Sequence, residues 1–266
     1  MPFRLFSLLA VLGLLATVLL PLSPARADEV AQAGRTTLTR WKDAIITLKV
    51  AAKITTTAGG QDSAEEIKQE AAGTFIDPSG LILASLTSVD IVEAYTSMMG
   101  GEDVKVTGNL TGIKAVLADG TELDAKLVLR DKDLDLAFLR LVKKSDKPFP
   151  ALDLTKTTQP DILDQVFILY RLGTVGNRVM NISPDRVQAL IEKPRKGYVL
   201  GIASYAAEVG APVFGMDGNL TGILLRKIQG SKSGDDRAGL YVVLPAADIA
   251  EAATQAPATA DIKDAK

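Results

Sequence analysis

The chain has 266 residues, 30 basic and 32 acidic side chains, and neither a histidine nor a cysteine. Without imidazole it lacks the one side chain whose ordinary titration spans neutral pH, and with it the usual general base of serine hydrolysis. Without cysteine, thiol nucleophiles, Cys/His zinc sites and disulfides are excluded, and no metal or cofactor is expected; the interspersed charges, with no basic block, give nucleic acid no footing.

The N-terminus reads as an export leader. Arg4 precedes an apolar run from Leu5 to Leu20, then Pro21, Pro24 and the small-residue pattern Ala25-Arg26-Ala27. This predicts cleavage after Ala27 and a periplasmic or secreted protein; the alternative, a retained anchor, asks a short run to do the work of the ~20 residues a span needs. Loss of Arg4 and Arg26 leaves 28 basic and 32 acidic residues, a net of −4. No later stretch is long and apolar enough for a membrane span after cleavage.

Short strands divided by turn residues dominate the rest. Ala44 to Ile54 is rich in Ile, Val and Thr, and Thr74-Phe75-Ile76 and Leu81-Ile82-Leu83 flank the turn Asp77-Pro78-Ser79-Gly80. Asp119-Gly120 lies between Ile113–Leu117 and Leu123–Leu129. Asp217-Gly218 lies between Ala211–Phe214 and Leu220–Leu225, and both dipeptides are strong hairpin signals. Val166–Tyr170, Val187–Ile191 and Leu240–Leu244 add strands. Helix signals are few: a capping-box spacing at Ser63-Ala64-Glu65-Glu66, and Pro245 before the alanine-rich Ala246–Ala253. Gly100–Gly112 and Gly173–Asn177 read as loops, Met98-Met99 as part of an exposed loop or a soft binding lip, and Lys193–Lys196 as a solvated turn. The pattern predicts an all-β sandwich or barrel.

Several of these stretches resemble the HtrA-type (Deg) family of trypsin-like envelope proteases. Gly73 to Leu83 is similar to its G-x-G-F-I-x-D-P-x-G-x-I-L segment, Ala118 to Glu122 to its A-D-G hairpin and Leu134 to Leu139 to its T-D-L-A-V-L strand. Gly210 to Ile223 is similar to S-G-G-P-L-x-N-x-x-G-x-V-I-G-I, and Gly239 to Pro245 to the closing G-x-x-F-A-I-P. The matches occur in order over about Ala44 to Ala250. The resemblance implies an all-β, trypsin-like double β-barrel, two six-stranded barrels with the cleft between them, and a short C-terminal helix. Residues 1–27 are then the leader, 28–43 an N-terminal segment, 44–147 the first barrel, 148–250 the second and 251–266 a flexible tail. No C-terminal PDZ domain is expected.

Carried over position by position, the family's histidine falls on Thr87, its aspartate on Asp135 and its serine on Val209. The glycine and its successor in the oxyanion turn fall on Ala207 and Glu208. The resemblance therefore implies that two of the three triad roles are lost, and that a carboxylate stands where a developing negative charge was to be held. Read for structure alone, Asp135 is a buried or rim aspartate bonded to backbone or hydroxyl groups, Thr87 and Ser88 end a strand, and Val209 fills the former cleft. The expected function is a pseudoprotease that binds extended peptides or another envelope protein, with no catalytic residue. One alternative is a regulatory or scaffolding subunit of an active envelope protease. The other is a hydrolase with an unorthodox nucleophile, such as Ser204 with Lys227.

Overall fold

The computed structural model describes residues 27–101, 103–201, 209–227 and 240–260. Helix α1 (Ala27–Trp41) is followed by β1 (Ile45–Ala58), β2 (Gln61–Asp77) and β3 (Leu81–Ser85), two short helices α2 (Leu86–Val89) and α3 (Ile91–Met99), then β4 (Val104–Val116), β5 (Glu122–Asp131) and β6 (Leu136–Leu141). The second half contains β7 (Gln165–Arg171), a 3-10 turn (Thr174–Gly176), β8 (Met180–Ile191), β9 (Gly197–Leu200), β10 (Pro212–Gly215), β11 (Leu220–Lys227), β12 (Leu240–Pro245) and helix α4 (Ala246–Ala253). The expected all-β double barrel is borne out. Each half closes into a six-stranded antiparallel barrel, ordered β1-β2-β3-β6-β5-β4 in the first and β7-β8-β9-β12-β11-β10 in the second. The two strand orders are the same, although the sequence shows no clear internal repeat.

Turn chemistry sets the hairpins. Gly59 and Gly60, both at positive φ (57° and 80°), make the two-residue turn from β1 to β2 that matches the strand twist. In the Asp217-Gly218 turn, Gly218 has φ 72°, and the Asp217 carboxylate accepts from Asn219 N–H at 3.0 Å and Thr158 Oγ1 at 2.5 Å. Burial pushes the Asp217 carboxyl up, but these hydrogen bonds outweigh it and hold the group below its ordinary value.

Three apolar clusters hold the molecule together. One fills the first barrel around Ile46, Leu48, Ile54, Phe75, Ile82 and Leu139; another fills the second around Val166, Ile168, Tyr198, Val213, Leu224 and Val243. The third lies between the barrels. There Leu83, Leu136 and Phe138 of the first meet Ile223, Leu225 and Leu244 of the second, with Ile249 of α4 closing the side. From Ala33 onward α1 lies on the second barrel. Gly34 sits against Phe167, and Trp41 stacks on Phe214 while its indole N–H donates to Gly218 O at 2.8 Å.

Several local expectations are corrected. Ser63–Glu66 does not open a helix but runs as strand in β2, because β1 pairs with it continuously from Ile45 to Ala58. Sheet pairing over that length overrides the helix propensity of Ala, Glu and Lys. Gly100–Gly112 is not all loop, since β4 begins at Val104. Gly108 serves close approach there: a Cβ would lie 2.4 Å from Lys53 O. Met98 and Met99 end α3 rather than lying in a loop, 74% and 46% exposed. The segment 28–43 forms most of α1, and the tail from residue 251 begins inside α4. Residues 261–266 lie outside the described residues, as does all of the expected leader except Ala27. Among the described residues no helix is long and apolar enough to cross a membrane.

Arg171 joins the second barrel to the start of the first. Its guanidinium donates from Nε to Ile45 O at 2.7 Å, from Nη2 to Lys42 O at 2.8 Å and from Nη1 to Arg178 O at 3.2 Å. Burial pulls its pKa below the ordinary arginine value, and the charge of Asp43 offsets part of that. Arg171→Met keeps the apolar stem but strands these carbonyls, so it is expected to cost about 2 kcal/mol. Urea denaturation measures this directly; an unchanged midpoint would mean that water serves the carbonyls equally well.

Candidate functional site

The seam between the barrels begins where β3 ends. Ser85 is fully buried and caps α2: its hydroxyl accepts from Ser88 N–H at 3.3 Å and donates to Asp135 Oδ2 at 2.8 Å. Thr87, one residue into that helical turn, donates to Asp135 Oδ1 twice, from its N–H and from its Oγ1, both at 2.7 Å. Asp135 itself lies in the connection from β5 to β6 at φ 58°, and its main-chain carbonyl accepts from Leu86 N–H at 3.0 Å. Aspartate tolerates the left-handed region better than most residues. The local fold therefore turns a buried carboxylate, 9% exposed, toward three donors. Thr87 and Ser88 do not simply end a strand as expected; Ser85 does that and starts a helix.

The third position comes from the second barrel. Gly210 has φ 94°, and a Cβ built there would lie 3.2 Å from Ser85 N and 3.3 Å from Ala72 O. Gly210 N–H donates to Leu224 O at 2.7 Å, which fixes the segment to β11. Val209, half-buried, immediately precedes this contact, so the chain at Val209 enters the seam beside the end of β3. Thr87 and Asp135 are thus bonded to each other, and Val209 is next to the residue that abuts Ser85. Ala207, Glu208 and Ser204 lie outside the described residues, so the turn expected at Ala207 and Glu208 and the Ser204–Lys227 pairing have no described geometry.

Chemically the cluster is closed. The Asp135 carboxylate has a hydroxyl donor on Oδ2 and a hydroxyl and an amide donor on Oδ1. A threonine hydroxyl donates a hydrogen bond but neither ionises nor takes up a proton near neutral pH. Sequence reasoning missed Ser85 as a partner of Asp135 and Gln69, whose Nε2 donates to Ser88 O at 2.7 Å and fixes α2 to β2. The available signal for Ser85 was a serine immediately before Leu-Thr-Ser-Val, an N-cap position.

A separate groove of about 920 Å³ lies over the outer face of β2, β1 and β4, walled by the turn after β7. Lys49, Ala51, Lys68, Glu70, Gly112 and Arg178 are among its lining residues. Its charges are mutually paired. Lys49 and Lys114 share Glu122, and Arg178 binds Glu70. Among the described residues no acidic cluster is arranged to hold a metal ion.

Two antiparallel six-stranded barrels of one strand order, with an aspartate buried where they meet, define a trypsin-like double barrel. The family model described as trypsin-like peptidase domain matches residues 71–223, more than half of the chain, and the chain belongs to that family. The matched region contains Thr87, Asp135 and Val209. No curated protein matches the chain.

Proposed function

We propose that this trypsin-like domain is a non-catalytic, HtrA-type member, exported to the cell envelope, that binds extended peptides or another envelope protein in the seam between its barrels. The observation that carries the reading is the hydroxyl of Thr87 on Asp135 in a chain with no histidine anywhere. Asp135 has no imidazole to orient, and Val209 offers no atom able to attack a carbonyl. The HtrA-type likeness rests on the ordered stretches from Gly73 to Pro245, and export rests on the leader pattern through Ala27. A protease cleft holds its substrate chiefly through main-chain pairing, so recognition of an extended chain outlasts the loss of chemistry.

The test is covalent labelling with a fluorophosphonate probe beside a casein digestion. The expected result is no labelling and no cleavage. Thr87→His with Val209→Ser is expected to restore little, because Ala207 and Glu208 still stand at the positions that the resemblance assigns to the anion-binding turn; adding Ala207→Gly and Glu208→Asn gives the fairer gain-of-function trial. Cleavage of casein by the native protein, abolished by Ser204→Ala, would overturn the reading in favour of an unorthodox hydrolase.

A further inference from the structure

Strand β2 is much longer than its contact with β3. It pairs with β1 from Gln61 to Thr74, whereas β3 meets it only at Thr74, Phe75 and Asp77. From Gln61 to Gly73 its second edge has no strand partner among the described residues. Gln69 bonds to α2 and Ala72 lies against Gly210, so the clearest open stretch is Gln61 to Lys68, where every residue but Ile67 is exposed. Such an edge offers a row of main-chain donors and acceptors to an incoming strand.

The side chains of β2 select which strand. A two-fold axis perpendicular to the sheet lays β2 antiparallel to its own copy, and the pleat then demands that opposed residues share a face. The axis must therefore pass beside one residue, which faces itself. On Glu66 it sets glutamate against glutamate and on Lys68 lysine against lysine; on Glu65 it opposes Asp62 to Lys68 on both sides but sets the two central glutamates against each other. On Ala64 it opposes Asp62 to Glu66, and on Ser63 only Gln61 to Glu65 overlap, with no charge pair. On Gln69 it opposes Lys68 to Glu70, but Arg178 already holds Glu70 and the Gln69 side chain is bound to Ser88 O. On Ile67 an apolar residue faces its copy, flanked on both sides by Glu66 opposite Lys68, and these three residues are the part of that ladder inside the open stretch. Within one chain Lys68 Nζ lies 3.0 Å from Glu66 of its own strand, both side chains well exposed. Association would turn two such pairs into an alternating ring of four charges. The main-chain ladder supplies attraction and the charges fix the register.

We propose that the free edge of β2 is a self-association surface, on which two copies pair antiparallel about Ile67 with Glu66 of each opposite Lys68 of the other. Sedimentation equilibrium of the purified protein is expected to show a dimer at micromolar concentration. Lys68→Glu, which creates two like-charge oppositions, is expected to weaken it about tenfold. The charge-exchanged Glu66→Lys/Lys68→Glu protein is expected to regain native affinity. Because the chain has no cysteine, an oxidised mixture of Glu66→Cys and Lys68→Cys proteins reports the register independently. Disulfides are expected between unlike variants in preference to like ones, whether or not Lys68→Glu folds. A protein that stays monomeric at about 100 μM, far above the concentration at which a stable dimer forms, would overturn the proposal. So would a dimer indifferent to Lys68→Glu, or cross-linking without preference for unlike variants.

Discussion

Phe138→Ala is expected to destabilise the protein by about 3–5 kcal/mol, the range for removing a fully buried phenylalanine. Phe138 has no exposed surface, pairs with Leu83 and Leu129 on its two neighbouring strands, and belongs to the cluster that joins the barrels. The lost ring leaves a cavity between two closed sheets. Neither barrel can collapse into it without breaking its own strand pairing, so little relaxation offsets the cost. For a chain of this size, Tm should fall by roughly 10 °C. Thermal denaturation followed by circular dichroism reads the shift, with Met98→Ala, at a 74% exposed position, as a near-neutral control. The effect should also appear as earlier proteolytic cutting in the exposed connector at 143–148, because weakening the interface frees the barrels from each other. A loss under about 1 kcal/mol would mean that the contact between the barrels is not part of the cooperative core.

How much of this was legible in the sequence depends on whether the signal was local. The Asp119-Gly120 and Asp217-Gly218 turns were legible because glycine at positive φ is required there (85° and 72°), and the flanking strands followed from them. The helix α4 was legible from Pro245 and its alanines. What failed was decided at long range. Glu65, Glu66 and Lys68 have the composition of a helix, and only the pairing of β1 along their full length makes them strand. The glycines of β4 look like loop residues until Gly108 is seen against the carbonyl of Lys53. Helix α1 carries few aliphatic residues of its own, and its docking depends on Trp41 and Gly34 meeting Phe214 and Phe167 from the distant second half. At the site, Thr87 and Asp135 were identified through family resemblance. Ser85 was not, because its role depends on a carboxylate 50 positions away.

Asp135→Ala is expected to cost about 3–4 kcal/mol, and Asp135→Asn about 1–2 kcal/mol. Alanine removes the acceptor of three hydrogen bonds. The Ser85 hydroxyl is left in a fully buried site, and the Thr87 N–H and hydroxyl must turn to whatever water reaches the seam. A stranded buried donor costs about 1–3 kcal/mol, and alanine at φ 58° adds about 1 kcal/mol of backbone strain. Asparagine avoids the backbone strain and all but one of the lost hydrogen bonds. Its Oδ1 accepts both bonds from Thr87 and it tolerates the left-handed region as aspartate does, but its amide can only donate to the Ser85 oxygen, so the Ser85 hydroxyl proton loses its acceptor. Asn and Asp therefore differ here in charge and in the one acceptor offered to Ser85. In a working triad that charge stabilises the imidazolium, and its loss is costly to catalysis without being costly to the fold. In this chain, bonded to Ser85 and Thr87, the carboxylate acts as an acceptor that holds β3, α2 and the β5–β6 connection together. Equilibrium urea denaturation of the two variants decides between these roles. A large destabilisation by Asp135→Asn as well as Asp135→Ala would mean that the negative charge itself is needed, and that the site holds a cationic partner the hydroxyl cluster does not explain.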